Sequence, residues 1–176
     1  MSALSTTASA SNAARSAASL QSHDRKGVVA VIFRRESADA PQRAVARFAR
    51  KLQDEVAKGR AFDCLITGDA ELRRLNLKFR GKDEATDVLS FPAAPPAAHL
   101  GDLAISLQRA RAQARAFGHS TEDEIRILML HGVLHLTGLD HEADAGRMAR
   151  AEKRWRARLG LPMSLIERAL IERVRA

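Results

Sequence analysis

The spacing of apolar positions changes several times along the chain, and each change marks an element. Val28 to Phe33 reads VVAVIF, a β-branched run that predicts a strand. From Pro41 to about Lys58 the spacing lengthens to three and four. Val45, Phe48, Ala49, Leu52 and Val56 then form one helical stripe, which Gly59 ends. Phe62 to Thr67 (FDCLIT) returns to a strand pattern. Asp69 to Arg80 places Leu72, Leu75 and Phe79 on one face of a second helix. After the polar turn GKDEA, Thr86 to Pro92 (TDVLSFP) predicts a third strand, stopped by its proline. AAPPAA is a loop, and Leu100 to Leu107 (LGDLAISL) a fourth strand.

Helices fill the rest. One runs from Gln108 to Gly118. Thr121 to Glu124 (TEDE) has the form of a capping box and opens another, which continues through IRILMLHGVLHLTG to Gly138. Two more are predicted over about Ala143 to Leu159 and Pro162 to Arg173. Strands and helices interleave, so the fold class is α/β (mixed α+β), with one small sheet in a single domain. Residues 1–26 are rich in Ser, Ala and Thr and show no apolar period. They are expected to be a disordered tail, leaving 27–176 as the domain. The same hydroxylated, nearly acid-free composition also resembles an organellar transit peptide. It lacks the continuous apolar stretch of a secretory signal, and the expected location is the cytoplasm, or an organelle if the tail is such a peptide.

Composition narrows the partners. The chain has 176 residues and is 45% hydrophobic, enough for one core, and it contains no apolar run near the roughly 20 residues that span a bilayer. With 29 basic and 21 acidic residues its net charge is +8, which favours a polyanionic partner. Six Phe, one Trp and no Tyr argue against a base-stacking RNA platform. Cys64 is the only cysteine, so no internal disulfide forms; set in an apolar run, it reads as a core residue.

Half of the six histidines fall within HGVLHLTGLDH. His131 and His135 are four apart on the apolar helix and therefore share a face. Gly138 can adopt the left-handed conformation that ends a helix, so the chain can turn back and bring His141 to the same point. Three neutral nitrogens in that arrangement suit a zinc ion with one open coordination position, the mark of a catalytic metal site. Such an ion keeps its +2 charge and can lower the pKa of a bound water to about 7. The alternative is a pair of ordinary core histidines. In zinc proteases the residue after the first histidine is the glutamate base; here it is Gly132, which argues against peptide hydrolysis by that route. Asp140 and Glu142 flank the third histidine, and Asp140 fits a supporting role better than that of a base. Glu124 lies well back on the helix. Asp87 and Asp102 read as structural residues of strand starts or turns.

These motifs resemble those of the YbeY family of endoribonucleases. The resemblance rests on HGVLHLTGLDH, on Leu75 to Pro92 (LNLKFRGKDEATDVLSFP) and on Leu100 to Ser106 (LGDLAIS), and it spans about Val28 to Leu159. It implies a mixed four-stranded sheet packed with about five to six helices. It also implies one Zn2+ per chain on His131, His135 and His141, and cleavage of single-stranded RNA. A role in 16S rRNA 3′-end maturation and ribosome quality control follows from it, with small ribosomal subunit components as partners and no membrane or DNA partner. The family's important arginine falls on Arg80. A guanidinium there could hold a phosphate in a two-pronged pair, or merely neutralise the end of a helix. Arg43, Arg47, Arg50 and Lys51 on the first helix, and Arg109, Arg111 and Arg115 on the helix before the histidines, could follow a phosphate backbone or simply be solvated faces. A non-catalytic ribosome assembly factor and a metalloprotease with an unrecognised base remain as rival functions.

Overall fold

A computed structural model describes residues 27–34, 40–94, 98–140 and 143–162. The elements follow in the order β1 (Ala30–Phe33), α1 (Gln42–Glu55), β2 (Ala61–Thr67), α2 (Asp69–Arg80), β3 (Val88–Pro92), β4 (His99–Ser106), α3 (Leu107–Phe117), α4 (Thr121–Leu136) and α5 (Arg147–Leu159). The four strands form one mixed sheet in the order β1-β2-β4-β3. β1, β2 and β4 run parallel, while β3 lies antiparallel on the outer side of β4.

Alternation along the strands sorts the core into two layers. Phe62, Cys64 and Ile66 of β2 join Leu103 and Ile105 of β4 on one face, where α1, α3, α4 and α5 close over them. Leu65, Leu89, Phe91 and Ala104 point to the other face, where Leu72 and Leu75 of α2 cover them. Phe79 completes that second layer, its ring edge-on to Phe91 with centroids 5.1 Å apart.

α4 is the centre of the larger layer. Ile125 and every residue from Ile127 to Leu134 are buried, so the helix is apolar on all sides rather than along one stripe. Its start differs from the sequence expectation by one residue. Ser120, not Thr121, is the cap: its hydroxyl accepts from the backbone N–H of Asp123 at 3.0 Å and donates to the Asp123 carboxylate at 2.8 Å. Glu124, the expected partner in the capping box, is fully buried and paired with His119 instead.

Two other boundaries shift. α1 ends at Glu55 rather than near Lys58, because the chain turns through left-handed Lys58 and Gly59. α5 begins at Arg147 rather than Ala143, after a turn through left-handed Ala145 and Gly146 in which Asp144 accepts from the backbone N–H of Met148 at 2.8 Å. The helix expected from Pro162 to Arg173 and the tail over residues 1–26 lie outside the described residues, except for Pro162 itself.

Candidate metal centre

His131 and His135 occupy adjacent turns of α4, on the face turned towards α5. Their Nε2 atoms are 3.2 Å apart. The His131 ring is buried and its Nδ1 lies 3.0 Å from Oε1 of Glu152, which α5 supplies from the other side and which is itself buried. A carboxylate accepts, so Nδ1 donates, and in the neutral form of the ring the lone pair then lies on Nε2, the atom facing His135.

The helix then ends as Gly138 allows. Gly138 has φ +94°; its N–H donates to the carbonyl of His135 at 2.9 Å, and that of Leu139 to Leu134 at 3.2 Å. This double bond pattern around a left-handed residue reverses the chain immediately after the second histidine. The backbone carbonyl of Asp140 accepts from Ala143 and Asp144, which tightens the following turn. His141 and Glu142 lie outside the described residues.

Gly132 faces the sheet. A Cβ there would stand 2.7 Å from Cδ2 of Leu103 and 3.3 Å from Oγ of Ser90. The Ser90 hydroxyl donates to the Gly132 carbonyl at 3.3 Å. The glycine therefore lets α4 settle onto β4, and a glutamate at this position would run into the core.

Arg80 is the last residue of α2, exposed, on the helix that covers the opposite face of the sheet from α4. Gly81 follows it in the left-handed conformation and closes the helix. Asp87 organises the start of β3: its carboxylate accepts from the backbone N–H of Val88 at 2.8 Å and from the side chain of Gln113 at 3.0 Å. Cys64 is fully buried, and that burial, helped by the nearby charge of Asp63, pushes its thiol far above the usual range.

Two features had no signal in the sequence. Glu152 stands 21 residues from His131 and meets it only because α4 and α5 pack together. On the opposite face of the sheet, Asp63, His99 and Asp102 bring ligand atoms within 4.8 Å of one another. Asp63 and Asp102 are register partners on β2 and β4, and His99 Nε2 lies 3.2 Å from Asp102 Oδ1. This cluster is compatible with a metal ion.

Residues 31–160 match the sequence profile described as Endoribonuclease YbeY. A Solibacter usitatus protein named Endoribonuclease YbeY is 70% identical over 138 residues, covering 78% of this chain and 92% of its own length. One of the same name from Koribacter versatilis is 44% identical over 138 residues, covering 78% and 90%. The solution structure of a Thermotoga maritima protein superimposes with a TM-score of 0.52 at 26% identity, over 73% of this chain and 85% of that one.

Proposed function

The chain belongs to the endoribonuclease YbeY family, and on that premise we propose that it hydrolyses phosphodiester bonds of single-stranded RNA using one zinc ion held by His131, His135 and His141. The observation that carries this reading is the pair of facing Nε2 atoms backed by Glu152. Two zinc–nitrogen bonds of about 2.0–2.1 Å at a tetrahedral angle span about 3.3 Å. The 3.2 Å separation of the two nitrogens fits that span. A carboxylate on the far nitrogen of a ligating histidine, as Glu152 is on His131, is the usual support of such a site.

The ion supplies Lewis acidity to the phosphate and to water. The side chains do the rest. Glu152 keeps the proton of His131 on Nδ1 and holds the ring in place. The family resemblance assigns Arg80, at the exposed end of α2, the part of pairing with the phosphate and offsetting charge on its oxygens. Gly132 seats the helix on the sheet and leaves no room for a proteolytic glutamate. The family resemblance extends the proposal to 16S rRNA 3′-end maturation and ribosome quality control, with small-subunit components as partners and the cytoplasm as the location.

The test is cleavage of a single-stranded RNA oligonucleotide by the purified chain, with and without a chelator. The expected result is about one zinc per chain, cleavage abolished by chelation and restored by zinc. His135→Ala should abolish cleavage while the protein still melts cooperatively, and His99→Ala should leave the zinc content unchanged. A metal that serves only to organise a non-catalytic assembly factor predicts no cleavage by the zinc-loaded parent, and that result would overturn the reading.

A further inference from the structure

The outward side of α5 carries a ridge of cations that the histidine site does not use. Arg147–Leu159 contains six basic residues and one acid, Glu152, and that acid is buried against His131. Met148, Ala151 and Glu152 turn inward. Arg147, Arg150, Arg154 and Arg158 recur at intervals of three and four, which aligns them along one side of the helix, roughly 5 Å of rise apart. Lys153 lies beside them, and all five are exposed. Among the described residues Arg147, Lys153 and Arg154 form no ion pair, and Arg150 donates only to the carbonyl of Ala145 at 3.3 Å. Arg158 alone is tied down, 3.1 Å from Glu55 and stacked over Trp155 at 5.2 Å.

Helix stability does not explain the ridge. A helix welcomes acids in its first turn and cations in its last. α5 has no acid in its first turn and begins with Arg147. Arg150 and Arg154, and Arg154 and Arg158, are like charges four residues apart, an arrangement that destabilises a helix. These cations repel one another along a helix whose inner side positions a metal ligand. An anionic chain laid on the ridge would relieve that repulsion, on the helix whose inner side supplies Glu152 to His131.

We infer that Arg147, Arg150, Lys153 and Arg154 bind the phosphodiester backbone of single-stranded RNA flanking the bond to be cut, extending the substrate track beyond the metal centre. The inference rests on the ribonuclease reading above for its place in the reaction. The binding itself is tested separately. Contacts are to phosphates, so the ridge adds affinity without reading base sequence.

The experiment compares the parent with Arg147→Gln/Arg150→Gln/Arg154→Gln in the full chain, glutamine being a good helix former. A fluorescent 20-nucleotide RNA is titrated at several salt concentrations, with His135→Ala as the background so that no cleavage intrudes. Three lost phosphate contacts should lower the slope of log affinity against log salt by about 2. Affinity at low salt should fall by roughly 10- to 100-fold, with zinc content unchanged and the melting temperature the same or slightly higher, because like charges four residues apart are removed. In the His135-containing protein, KM should rise while kcat at saturating RNA stays the same. Unchanged affinity and slope would overturn the ridge as an RNA track. Ridge-dependent sedimentation with anionic phosphatidylserine vesicles, with RNA binding untouched, would overturn it in favour of a membrane surface. If the parent cuts nothing yet its binding depends on the ridge, the ribonuclease reading fails and the RNA-binding ridge stands.

Discussion

Glu152 places Oε1 3.0 Å from Nδ1 of His131, so a buried carboxylate on one helix decides which nitrogen of a histidine on another is free. The pair fixes both the tautomer and the direction of the ring. It also explains how one acidic residue is tolerated in the interior beneath an otherwise basic helix: its charge is met by a hydrogen bond from the ring it orients.

Glu152→Gln should therefore weaken zinc binding without unfolding the protein. Glutamine keeps the shape but its amide is a poorer acceptor, and a supporting contact of this kind is worth about 10- to 100-fold in metal affinity. Competition with a chromophoric chelator measures it. His141→Ala, which removes a proposed ligand outright, should cost much more than either Glu152→Gln or Asp140→Asn. Equal losses for His141→Ala and Asp140→Asn would show that the third ligand has been misassigned.

Gly132 gives a packing test. Alanine there brings a Cβ to 2.7 Å from Leu103 Cδ2. Overpacking costs about 1–3 kcal/mol, and replacing a helical glycine returns about 0.8–1.0 kcal/mol. Gly132→Ala should thus lower stability by on the order of 1 kcal/mol, read from denaturant melts. Combined with Leu103→Ala, the loss should be smaller than the sum of the two single losses, because the space the methyl needs has been vacated. Gly132→Glu should cost more than about 3 kcal/mol, since it buries a carboxylate between helix and sheet, and should yield no peptidase activity.

What could be read from the sequence was local. The four-residue step from His131 to His135 and the glycine at 138 carry their geometry within one helix and its cap, and the structure keeps both. The strand pattern was readable for the same reason: Phe62, Cys64 and Ile66 alternate with Asp63 and Leu65 across two real faces. What escaped arose from packing between elements. Glu152 acquires its meaning only when α5 lies on α4, and Gly132 only when Leu103 lies beneath it. The meeting of Asp102 with Asp63 on the neighbouring strand likewise comes from strand register and not from any local pattern. The cap of α4 was misplaced by one residue because two adjacent hydroxyls, Ser120 and Thr121, both suit the position, and the backbone chose the first.

Cys64 should be inert while the protein is folded. Burial holds its pKa up, so at neutral or mildly alkaline pH the reactive thiolate is not formed in the native state. Labelling by a disulfide reagent at pH 8 should be slower than in denaturant by at least about 100-fold, and should speed up as denaturant opens the fold. Rapid labelling of the native protein would mean that the β2 core is open to solvent.

The phosphate-holding role proposed for Arg80 separates a ribonuclease from a protein whose metal only organises the fold. If it holds a phosphate, Arg80→Lys keeps the charge but loses the planar, two-pronged geometry, and Arg80→Ala loses both. No proposed ligand is touched, so zinc content should be unchanged in each. Cleavage of single-stranded RNA should fall for lysine and further for alanine. A lost transition-state contact to a charged group is worth on the order of 2–4 kcal/mol, which corresponds to about 30- to 1,000-fold in rate. A residue that only neutralises the end of α2 behaves differently. Its loss would lower the melting temperature slightly, by removing a cation from the last turn beside Lys78, and leave the rate alone. Arg43→Ala, on the exposed face of α1, serves as the comparison: it should leave kcat unchanged and reduce RNA affinity only modestly, with a shallower salt dependence. Cleavage by Arg80→Ala at the parent rate would reduce Arg80 to that helix-end role and pass the phosphate to another cation, with the pairing of His131 and His135 unaffected.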